Sequence, residues 1–126
     1  MPFTQWMPLV AAAAVVSFFV AVGARTETRL PWQLPAAVSA TFLAFSLVAV
    51  FTEGGMGFWP VHTHNLWGNQ VWVDLLLAAT VAWVALLPRA RAAGMNGPAW
   101  IVAVIATGSI GLTAMLARVL YLERPE

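Results

Sequence analysis

Every charged side chain lies between four apolar runs or within about a turn of their ends, and each run approaches the roughly 20 residues needed to cross a hydrocarbon core. That pattern leaves few folds open. Backbone N–H and C=O groups in lipid must be paired within the protein, so only helices and closed barrels span a bilayer. A barrel strand would alternate apolar and polar residues, whereas these runs are continuous. The expected fold class is therefore an all-α membrane protein, with four transmembrane helices in an up-down antiparallel bundle and residues 1–126 forming a single domain. Composition agrees, since 61% of the 126 residues are hydrophobic and 9% charged, against about a quarter charged in a soluble domain.

The first run covers about residues 7–24 and ends at Arg25. A signal peptide is the competing reading, but the leading segment MPFTQWMP has no Lys or Arg. The second run, about 34–51, follows Pro31 and Pro35 and stops at Glu53-Gly54-Gly55. The third, about 71–87, closes at Pro88 with Arg89 and Arg91 behind it. The fourth, about 98–120, starts from Asn96-Gly97-Pro98, a cap followed by Pro in the first turn.

Short connections make consecutive helices antiparallel neighbours, and arginine sets their direction. Arg25 and Arg29 lie in the first connection and Arg89 and Arg91 in the third, against Arg118 and Arg124 at the C-terminal end. The positive-inside rule then puts the first and third connections in the cytoplasm, with both termini and the 52–70 connection extracytoplasmic in an inner membrane. Trp6, Trp32, Trp59, Trp67, Trp72 and Trp100 fall at the expected boundaries, where indole rings rest among headgroups.

Helices in lipid associate through close packing and occasional hydrogen bonds, so their seams need small residues. Such residues recur at four-residue spacing, which stacks them on one face: Ala13, Ser17 and Ala21 in the first run, Ala36, Ala40 and Ala44 in the second, and Ala103, Thr107 and Gly111 in the fourth. The hydroxyls of Ser39, Thr41, Ser46, Thr80, Ser109 and Thr113 can each bond back to their own helix, so a hydroxyl alone does not mark a conduction path.

The chain spends most of its chemistry between Phe51 and Asp74. One account is an ordinary polar connection with glycine turns and tryptophan anchors. A second is a metal or proton site, in which an extended His62-Thr63-His64 points both imidazoles the same way and Glu53 or Asp74 adds an oxygen. A third is a docking surface for a partner. Asp74, about a turn inside the third run, needs a partner in the membrane, and Arg118 near the outer end of the fourth run is the expected one.

The order F-T-E-G, D-L-L, P-R-A-R-A-A-G-M and L-Y-L-E-R from about Val48 onward resembles a family of small bacterial membrane proteins catalogued as a domain of unknown function. The matching positions are Glu53, Asp74, Leu75, Leu76, Arg91, Gly94, Met95, Leu120, Tyr121 and Arg124. That resemblance implies architecture and no activity.

The absence of cysteine excludes disulfides, thiolate metal centres and Cys nucleophiles. A net charge of +1 with scattered arginines carries no nucleic-acid footprint. The expected function is a non-catalytic accessory or structural subunit of a membrane complex, in contact with the lipid bilayer and with other membrane-protein chains. The alternatives are a small homo-oligomeric transporter or channel, and a metal- or proton-handling protein using His62 and His64. No catalytic residue is expected, and the sequence names no cofactor.

Overall fold

A computed structural model describes residues 2–26 and 29–125, and all regular structure among them is helical. The helices are α1 (Phe3–Gly23), α2 (Gln33–Glu53), α3 (Phe58–Thr63), α4 (Leu66–Ala92), α5 (Gly97–Thr107) and α6 (Ser109–Glu123). Three of them, α1, α2 and α4, are long and apolar enough to cross a membrane.

The expected single domain divides between Leu30 and Pro31 into two compact units. The first is built on α1, which carries Pro8 among its opening turns and an edge-to-face Phe3–Trp6 pair at 5.1 Å. Ala13, Ser17 and Ala21 occupy one stripe of this helix.

The second unit departs from the expected bundle at the fourth run. In place of one helix over 98–120, the chain forms two helices separated by Gly108, whose φ of 61° and ψ of −120° no residue with a Cβ adopts readily. The break reverses the chain. A Cβ on Gly111 would lie 2.8 Å from the Ala103 carbonyl oxygen and 2.9 Å from Val104 Cα, a contact that a straight helix forbids between residues seven and eight apart. Thus Ala103, Thr107 and Gly111 do meet, but across a hairpin. At 11 residues, α5 rises only about 16 Å, half the hydrocarbon thickness.

Parallel rather than antiparallel packing of α4 and α6 follows from that reversal. Leu86 and Ala90 of α4 pack with Leu112, Met115 and Val119 of α6, where Met115 and Val119 are fully enclosed. Trp83, Met95, Trp100 and Val104 close the cluster from α4, the α4–α5 turn and α5. Along the opposite flank of α6, α2 runs antiparallel: Trp32 meets the Tyr121 ring edge-on at 5.3 Å, and Ser39 Oγ donates to the Ile110 carbonyl at 2.8 Å.

Two further expectations change. Helix α4 extends beyond 71–87 at both ends and continues through Pro88 to Ala92, while the 52–70 connection contains the helical α3. The C-terminal end of α6 stands level with the α4–α5 turn, because Arg89 and Glu123 are bonded there. These two points, expected on opposite sides of the membrane, lie at the same end of the unit.

Candidate functional site

The unit Pro31–Glu126 has an aromatic end, a basic end and an apolar cleft between them. At the aromatic end α3 is fastened to the start of α4. The Asn65 side chain accepts from Gly68 N–H at 2.7 Å, capping α4, and Asn69 Nδ2 donates to the His62 carbonyl at 2.8 Å. Gly68 permits the approach, since a Cβ there would stand 2.5 Å from the Val61 carbonyl oxygen. The His62 imidazole then lies against Trp72, ring centres 5.0 Å apart, with Phe58 at 6.4 Å, and its Nδ1 is enclosed without a hydrogen-bond partner among the described residues. Trp59 meets Trp72 edge-on at 6.3 Å, whereas Trp67 remains exposed.

This geometry separates the expected metal ligands. On a helix, residues two apart point about 200° apart. His62 faces the aromatic cluster while His64, the C-cap of α3, is exposed, and Glu53 ends a different helix. Among the described residues no group of three or more His, Asp or Glu side chains is placed to hold a metal ion.

At the basic end Arg89 donates through Nη2 and Nε to the two carboxylate oxygens of Glu123, at 2.6 and 3.2 Å. That hydrogen bond, aided by the charge of Arg89, holds the Glu123 carboxyl below the ordinary carboxylate range against a smaller opposing effect of burial. Arg118 and Arg124 both approach Tyr121: the Arg124 guanidinium sits 3.5 Å from the ring centre and donates to the Tyr121 carbonyl, and the Arg118 guanidinium lies at 5.6 Å. The expected Asp74–Arg118 pair is not formed. Asp74 is in the third turn of α4, exposed, while Arg118 stands near the opposite end of that helix because α6 returns to the level of Arg89.

The hairpin stops short, so α2 and α4 are left apart beyond its tip. The space between them, about 1060 Å³, is walled by Phe42, Phe45 and Ser46 of α2 and by Leu76, Thr80 and Trp83 of α4, with Gly108 at its floor and Phe58 at its rim. A smaller groove of about 500 Å³ lies on the other flank, between α2 and the α5–α6 hairpin, and opens at the basic end. Ala36 and Ala40, expected in a packing seam, line this groove; Trp32 and Trp100, expected as interface anchors, stand in its wall. The cleft and the groove are the features that sequence reasoning missed. The signal present was Gly108-Ser109 inside an apolar run.

Comparison with protein-family models, with curated proteins and with solved structures finds no match.

Proposed function

We propose that this chain is a small multi-pass membrane subunit without catalysis of its own, which receives an apolar helix of another membrane chain in the cleft between α2 and α4. The cleft carries this reading. A hairpin of half-membrane depth leaves two full-length helices flanking a space lined by side chains that gain by close packing, and helices in lipid associate chiefly through such packing. The reading places the chain in an inner membrane with the basic end inward. Within Pro31–Glu126 the described Arg89, Arg91, Arg118 and Arg124 are all at that end, and the aromatic end has no Arg or Lys, so the hairpin supports the positive-inside asymmetry better than four spans do.

A homo-oligomeric transporter or channel is the second reading, favoured by the break at Gly108, since discontinuous helices supply backbone ends at mid-membrane sites in transporters. Extraction in mild detergent followed by mass measurement of the purified assembly separates the two. One copy bound to an unrelated membrane chain is the expected result. Copies of this chain alone favour the transporter, and a lone monomer removes both.

A further inference from the structure

We propose that the groove between α2 and the α5–α6 hairpin binds one anionic phospholipid, its acyl chain against the alanine wall and its phosphate at Arg118 and Arg124. This is independent of what fills the larger cleft.

The groove is graded from apolar to charged along its length. Its deep part is formed by small and aliphatic side chains, Ala36, Ala40 and Leu43 on one side and Ala114 and Ala117 on the other. Small residues on facing helices leave room for a chain, and the volume of about 500 Å³ is that of an ordinary ligand pocket. Towards the basic end the lining changes to Trp32, Trp100 and Tyr121, amphipathic rings of the kind found at the headgroup level. Arg118 completes the mouth, and Arg124, outside the lining itself, lies over the face of the lining Tyr121 ring, 3.5 Å from its centre.

Charge identifies the occupant. Arg89 is neutralised by Glu123, but neither Arg118 nor Arg124 has a carboxylate partner among the described residues; both rest on Tyr121. Each guanidinium keeps donors free, in a planar fork suited to phosphate oxygens. Two such groups over an apolar groove complement a ligand with a phosphate at one end and a hydrocarbon chain at the other. Basic pockets beside membrane helices on the cytoplasmic side hold anionic headgroups in this way.

The test uses the full chain in a neutral detergent, with phosphatidylglycerol, phosphatidylcholine and inorganic phosphate as separate probes, read as retained lipid by native mass spectrometry and as a shift of the thermal unfolding midpoint. Phosphatidylglycerol should be retained and should raise the midpoint, with phosphatidylcholine and inorganic phosphate well behind. Each neutralising substitution, Arg118→Gln or Arg124→Gln, should weaken phosphatidylglycerol about fivefold, and both together roughly twenty-five-fold. Arg91→Gln, at the same end but outside the groove, should change nothing. Equal retention of the two lipids, an equal effect of inorganic phosphate, or an equal loss in Arg91→Gln would overturn the proposal in favour of non-selective lipid contact, a bare anion site or diffuse attraction respectively.

Discussion

Ser39 is the one buried polar residue among the described residues, and its hydroxyl, in place of bonding back to its own helix, donates to the Ile110 carbonyl of α6. Thr80 and Thr113 bond back to Leu76 and Ser109 as their spacing predicts. Removing the Ser39 hydroxyl loosens α2 from the start of α6, so Ser39→Ala should cost about 1 kcal/mol, seen as a lower thermal midpoint in detergent. The Arg89–Glu123 pair works in the opposite regime, with both side chains well exposed. Such pairs contribute below about 1 kcal/mol, and the sign of the pH dependence follows from the lowered Glu123 carboxyl. A depressed folded-state value means that the contribution is present in full above the ordinary carboxyl range near 4.5 and disappears as pH falls through the lower folded value. The midpoint gap between the native chain and Glu123→Gln should therefore be constant at neutral pH and close under acid conditions. A gap that persists in acid would assign the pair's effect to packing of the side-chain stems.

At the scale of elements, the α5–α6 hairpin decides the topology. Because the native chain has no cysteine, single cysteines report sidedness directly. Ala93→Cys, in the α4–α5 turn, and Leu122→Cys, at the end of α6, should react with a membrane-impermeant maleimide from the same side, while Met56→Cys, beyond the end of α2, should react only from the other. Four full spans would instead put residues 56 and 122 together. The three long helices were legible in the sequence because continuous apolarity over such a length has one common solution in a membrane. The Asn96 cap was legible too: its side chain accepts from Ala99 N–H at 3.1 Å ahead of the expected first turn. The reversal at Gly108 was not, since a half-depth hairpin and a full span have the same composition, and only the backbone angles of a single glycine separate them. The His62–Thr63–His64 motif misled for a related reason. Its side-chain directions depend on whether the segment is extended or helical, and Trp59 to Thr63 closes a helical turn, with the Thr63 hydroxyl donating to the Trp59 carbonyl at 2.9 Å.

For the molecule as a whole, the packed core around Met115 and Val119 joins α4 and α6 near the basic end and leaves α2 and α4 apart towards the aromatic end. A bilayer does not penalise such an opening as water would, because acyl chains can enter it, so its persistence is no strain on the unit by itself. What the opening offers is side-chain surface on two helices at once, and a rigid helix placed between them forms more close contacts than mobile lipid does. The aromatic cluster of Phe58, Trp59, His62 and Trp72 fixes the far rim, so the cleft is held from above by α3 and from below by the hairpin tip. Thr80 is well suited to probing it. It lines the cleft, it is exposed, and its hydroxyl is already satisfied by its own helix, so a larger side chain there projects into the space without breaking a tertiary contact. Thr80→Trp should keep the thermal midpoint of the isolated chain within error while weakening assembly roughly tenfold or more, the consequence of overpacking by about 1.4 kcal/mol at a close helix interface. Pull-down of the assembled complex from membranes, set beside the melting curve of the purified variant, measures both quantities. Unchanged assembly with an unchanged midpoint would mean that the cleft holds lipid alone, and would overturn the proposed docking of a partner helix there.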